Sequence, residues 1–104
     1  ALNQTLVKIS GVGMRVKVRP WGIFQEFMGE RELEVDIPER AKLIDLLEEL
    51  TKRYGPKFGE ELFQSNKRDV KPYIKVLLNG HGAELKARLS EGDVVAIFPP
   101  VGGG

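Results

Sequence analysis

Hydrophobic and polar residues alternate from residue 14 to residue 19, with Met14, Val16 and Val18 on one face and Arg15, Lys17 and Arg19 on the other. A period of two marks a half-buried β-strand. Pro20 and Gly22 interrupt it. Trp21, Ile23, Phe24, Phe27 and Met28 then form an apolar cluster, closed by Gly29, that reads as a short turn or helix lying over the core. Alternation resumes over residues 30–37, with Leu33, Val35 and Ile37 inward and Glu32, Glu34 and Asp36 outward, and Pro38 ends this second strand. If the two strands pair antiparallel, a basic row faces an acidic row across the ladder.

Over residues 39–54 the period becomes helical. Leu43, Ile44, Leu46, Leu47, Leu50 and Tyr54 share one stripe, while Lys42, Asp45, Glu48, Glu49, Lys52 and Arg53 fall largely on the other. Glu39 near the start and Lys52 and Arg53 near the end suit the helix dipole, and Gly55-Pro56 supplies a stop. Residues 57–64, with Phe58, Leu62 and Phe63, read as a short second helix or turn, and residues 65–71 as a polar loop carrying Lys67, Arg68 and Lys71. Pro72 introduces a third strand over residues 73–78, and Asn79-Gly80-His81-Gly82 is a turn. Leu85 and Leu89 flank an irregular or strand segment, residues 90–93 form a turn, and residues 94–98 are a continuous apolar run expected of a strand buried on both sides.

At 104 residues one domain is expected, and the near-neutral balance, net charge +1 with 30% charged residues, argues against nucleic acid as a partner. No apolar window approaches a membrane span and no signal peptide pattern opens the chain, so the reading is a soluble, cytoplasmic protein. The chain has no cysteine, which excludes disulfides, thiolate metal sites and a cysteine nucleophile. Its single histidine, His81, has no carboxylate or hydroxyl partner placed by the sequence, and no metal site is expected. Residues 1–13 read as a flexible leader or tag-like extension, and residues 14–104 as the folded domain.

The chemistry is expected at the end of the chain. Phe98 is followed by Pro99, Pro100, Val101, Gly102, Gly103 and Gly104, so no charged or polar side chain stands beyond the last strand. The prolines start the arm in a stiff, extended direction. The glycines can bend and pass through a channel too narrow for side chains. A terminal carboxylate is then the arm's one reactive group.

Strand, strand, helix, strand, strand is the order of a β-grasp, or ubiquitin-like, fold: an α+β domain with a mixed sheet of four to five strands packed on one main helix. The stretch from Glu91 through Phe98-Pro99-Pro100 to Gly102-Gly103-Gly104 resembles the C-terminus of the small subunit of molybdopterin synthase, in the MoaD/ThiS family of sulfur carriers. Residues 14–18, Trp21, the stretch 25–29 and Leu77-Leu78-Asn79-Gly80 are similar to that family as well. The sequence departs from the pattern at Trp21, where a phenylalanine is more frequent, at Gln25, where an arginine is, and in its third terminal glycine. The resemblance implies first and last strands parallel and adjacent at the sheet centre. It implies a sulfur carrier that is not catalytic alone but is the sulfur-donating subunit of a transferase. An E1-like enzyme would use ATP and Mg²⁺ to adenylate Gly104, with Gly103 its companion, and the resulting thiocarboxylate would donate sulfur to a pterin precursor of the molybdenum or tungsten cofactor. The partners implied are that adenylating enzyme and the large catalytic subunit, with Trp21, Phe98, Pro99, Pro100, Val101 and Gly102 forming the contact surface and arm. The alternative is an archaeal ubiquitin-like modifier that forms isopeptide bonds through the same glycine.

Overall fold

The computed structural model describes residues 13–66 and 69–100. In chain order its elements are β1 (Gly13–Pro20), α1 (Ile23–Met28), β2 (Leu33–Pro38), α2 (Leu43–Tyr54), α3 (Pro56–Leu62), β3 (Lys75–Leu78), β4 (His81–Gly82) and β5 (Val94–Phe98). The strands form one mixed sheet in the order β2-β1-β5-β3-β4. β1 pairs antiparallel with β2 and parallel with β5, and β3 pairs antiparallel with both β5 and β4. The first and last strands are therefore neighbours at the sheet centre, as the resemblance implies.

One face of the sheet carries the core. Val16 and Val18 of β1, Val35 and Ile37 of β2, and Val95 and Ile97 of β5 are buried against Leu43, Leu46, Leu47 and Leu50 of α2. Phe24 and Met28 of α1 and Phe58 and Leu62 of α3 close the sides. Phe58 is the hub of an aromatic cluster: its ring meets Phe24 at 5.7 Å, Phe27 at 5.7 Å and Tyr54 at 5.9 Å. Among the described residues no polar or charged side chain is buried. None of the helices is long and apolar enough to cross a membrane.

Several boundaries differ from the sequence reading, each for a local reason. β1 starts at Gly13, assigned above to the leader, and runs through Pro20. Lys17 and Trp21 donate their amides to Asp93 and Ile97 of the β5 side, so the odd positions serve that ladder. The missing N–H of Pro20 falls on the β2 side, beyond Leu33, the last β2 residue in register, where no strand needs it. α2 begins at Leu43 rather than near Glu39, because Glu39 and Arg40 make a turn with Arg40 at φ 72°. Asp45 Oδ2 accepts the Lys42 amide at 2.8 Å and fixes that start.

β3 begins at Lys75 rather than Tyr73, since residues 72–74 turn into it. The hairpin turn after it is Asn79-Gly80 alone, both at positive φ (53° and 85°), and His81-Gly82 becomes the short edge strand β4. β5 is not buried on both faces. Val95 and Ile97 are buried, while Val94, Ala96 and Phe98 are half-buried, because all three helices cover the same side of the sheet.

Candidate functional site

The open face of the sheet is polar at one side and apolar towards its centre. Arg15 and Lys17 of β1 stand opposite Asp36 and Glu34 of β2 in the antiparallel register, and Glu32, just before β2, reaches Arg19. Arg15 Nε donates to Asp36 Oδ1 at 2.9 Å and Arg19 Nε to Glu32 Oε1 at 2.7 Å, with Lys17 Nζ 3.7 Å from Glu32 Oε2. The hydrogen bond from Arg19 holds the Glu32 carboxyl below its usual range, and the charge of Lys17 adds to that. The hydrogen bond to Asp36 raises the Arg15 guanidinium in turn. The basic and acidic rows thus neutralise each other, leaving the neighbouring β5 face as the apolar part.

That face ends at Phe98. Its ring stacks on Trp21, centroids 5.5 Å apart and planes 13° from parallel. Trp21 is held there by its backbone, which donates to the Ile97 carbonyl at 3.0 Å and accepts from the Phe24 amide at 3.1 Å. The second bond closes a turn with Gly22 at its first central position, φ 56° and ψ −128°, geometry of the II′ kind. Trp21 is 50% exposed and Ile23 38%. These two residues, grouped above with the cluster lying over the core, instead face solvent, and Phe24 and Met28 alone of that cluster are buried. Lys75 stands opposite Phe98 in the β3 register.

At its lower end β5 is pinned by a polar knot. Asn79 exchanges backbone and side-chain bonds with Val94, donating its amide to the Val94 carbonyl and accepting the Val94 amide on Oδ1. Its Nδ2 donates to Asp93 Oδ1, while Asp93 Oδ2 accepts the Ser90 amide. Glu91 Oε1 accepts the Arg15 amide, and Gly92 donates to the Arg15 carbonyl. A fixed strand therefore delivers Phe98, Pro99 and Pro100 to one corner of the molecule.

Of the sequence-derived site residues, Trp21, Phe98, Pro99 and Pro100 come together at this corner. Val101, Gly102, Gly103 and Gly104 lie outside the described residues, as do residues 1–12, Lys67 and Arg68. His81 is exposed on the edge strand β4, on the far side of β3 from β5. Among the described residues no cluster of three His, Cys, Asp or Glu is placed to hold a metal. Sequence reasoning treated Gly22 as a mere interruption, yet Gly22 lies directly against Pro99. The available signal was a glycine between a tryptophan and a short apolar cluster, which says nothing about what packs on it.

This corner and sheet define a ubiquitin-like domain of the β-grasp type. The ThiS family model matches residues 21–104, and the chain belongs to that family. Small archaeal modifier protein 3 of Haloferax volcanii is 30% identical over 95 residues, which span 88% of this chain and 100% of the relative. The crystal structure of small archaeal modifier protein 1 from the same organism superposes with a TM-score of 0.77 at 30% identity, covering 86% of this chain and 99% of that one. A Pyrococcus furiosus protein, named for a proposed role as molybdopterin converting factor subunit 1, matches at 37% identity and a TM-score of 0.70, covering 85% of this chain and 99% of its own. The chain is thus a small ubiquitin-like carrier or modifier domain.

Proposed function

We propose that this chain is a protein modifier that is activated at its C-terminal glycine and transferred to lysine amines. The carrying observation is that two curated relatives, matched over 100% and 98% of their lengths, are both small archaeal modifier proteins. The chemistry follows from a carboxylate, a poor electrophile until one oxygen becomes a leaving group. A Gly104 carboxylate oxygen attacks the α-phosphorus of ATP on an E1-like enzyme with Mg²⁺, and pyrophosphate leaves. A lysine amine then attacks the acyl carbon, AMP departs, the nitrogen loses a proton, and an isopeptide bond remains. Trp21 and Phe98 offer the enzyme an apolar contact, while Pro99, Pro100, Val101, Gly102 and Gly103 form the arm that reaches its active centre.

The sulfur-carrier function implied by the sequence is the second reading, favoured by the 37% identity to the Pyrococcus furiosus protein. In it a hydrosulfide equivalent displaces AMP, and the thiocarboxylate passes its sulfur to a pterin precursor held by a large molybdopterin synthase subunit. The acceptor alone separates the two.

Intact-mass analysis decides after incubation with the adenylating enzyme, ATP, Mg²⁺, a sulfide donor and a lysine-bearing protein mixture. Conjugates on lysines support the modifier, and an oxygen-for-sulfur exchange without conjugates supports the carrier. If deleting Gly103 and Gly104 changes neither product, both readings are overturned.

A further inference from the structure

The arm leaves the domain over a residue with no side chain. A Cβ built on Gly22 would stand 2.6 Å from Pro99 Cγ, 3.4 Å from its Cδ and 3.6 Å from its Cβ. The first distance is well inside carbon–carbon contact, which is favourable at about 3.5–4.0 Å. The pyrrolidine ring therefore occupies the space that any other residue at 22 would claim. The neighbours on either side are fixed: Trp21 is bonded through its amide to Ile97 and stacked on Phe98, so the Gly22 backbone cannot easily retreat. On the other side, Pro99 follows Phe98 directly and has its own φ locked by the ring. Pro100 extends the same stiff segment, so a displaced Pro99 ring changes the point and heading from which the arm departs.

We infer that Gly22 is a positioning residue that aims the C-terminal arm, by seating the Pro99 ring against its bare backbone beside the Trp21–Phe98 stack. The inference rests on the activation of Gly104 proposed above, and it adds a determinant of that reaction that touches none of the reacting atoms. Aim matters because acyl-adenylation needs the carboxylate oxygen in line with the α-phosphorus. Misplacement by about 1 Å, from a change far from the chemistry, can cost a reaction of this kind on the order of 100-fold.

Gly22 is also at φ 56°, where a side chain is strained whatever its neighbours, so the test has to separate the seat from the strain. The design is a cycle of four proteins: wild type, Gly22→Ala, Pro99→Ala and the double variant. For each, the steady-state rate of ATP–pyrophosphate exchange on the adenylating enzyme is measured together with NMR contacts between residue 22 and the residue 99 side chain. Gly22→Ala is expected to lose the contacts of the Pro99 ring with residue 22 and to lower kcat roughly 10- to 100-fold, with KM changed far less. In the Pro99→Ala background, where the clashing Cγ is gone, the same Gly22→Ala change is expected to add little further loss. An equal loss in both backgrounds, or wild-type kcat in Gly22→Ala, overturns the inference. Should wild type itself support no exchange, the proposed function fails; a Pro99 ring that keeps its place in Gly22→Ala overturns the seat, whatever the exchange assay shows.

Discussion

Asn79 shows how much one residue can do at the base of the site. It sits at φ 53° in the hairpin turn and its side chain bonds Val94 and Asp93 at once. Asparagine tolerates the left-handed region because its short amide can bond locally, whereas alanine has no such return. Asn79→Ala removes both bonds and keeps the strain, and is expected to cost about 2 kcal/mol. Thermal unfolding should report this as a fall of roughly 10 °C in Tm for a domain of this size. The dipeptide Asn-Gly is a turn signal that sequence reading catches. What it misses is that the same amide ties the turn to β5, since Val94 is distant in sequence and its amide finds the side chain only after β3 and β5 have paired.

Between elements, the paired charge rows of β1 and β2 give the sheet a pH signature. Arg19 depresses the Glu32 carboxyl, so the folded state holds the ionised form more tightly than the unfolded chain does. The stabilisation is therefore fully present above the unfolded glutamate value and is lost as acid takes the pH down through the lower, folded one. Wild type is expected to lose stability across that acid range faster than Glu32→Gln, which has no proton to take up. Urea unfolding at neutral and acid pH measures the difference, and it should shrink in high salt because these groups are exposed. An equal acid dependence in both proteins would remove Glu32 from the account. Alternation made the basic and acidic rows legible, and the antiparallel pairing of β1 with β2, which sequence reading leaves only as a condition, brings them face to face.

Across the described residues, three helices on one side of a five-stranded sheet leave the other face open, and that asymmetry leaves Val94, Ala96 and Phe98 of β5 half-buried. Phe58 shows what the covered side costs to disturb. Its ring is fully buried among Phe24, Phe27 and Tyr54, at the junction of α1, α2 and α3. Phe58→Ala is expected to cost about 3–5 kcal/mol, a large share of the roughly 5–15 kcal/mol available to a domain. Chemical denaturation should show the loss as a lower midpoint; a loss under about 1 kcal/mol would mean that the cluster repacks around the hole.

Alternation and helical periodicity are local properties of the chain, so the first strand, the amphipathic α2 and residues 33–37 of the second strand were determined by the sequence itself, while residues 30–32, expected in that strand, lead into it from the αL turn at Gly29. The motif Phe98-Pro99-Pro100 with its glycines likewise carried the family, because it is contiguous. The burial of β5 on one face alone was decided only in three dimensions, since a run such as Val94-Val95-Ala96-Ile97-Phe98 reads the same whether helices cover one side of a sheet or both. The same holds for Trp21, whose apolar character suggests a core position until the Ile97 carbonyl turns its ring onto Phe98. Gly22 is the sharpest case: a glycine's contribution is the space it leaves, and only the path of Pro99 through that space gives it a role.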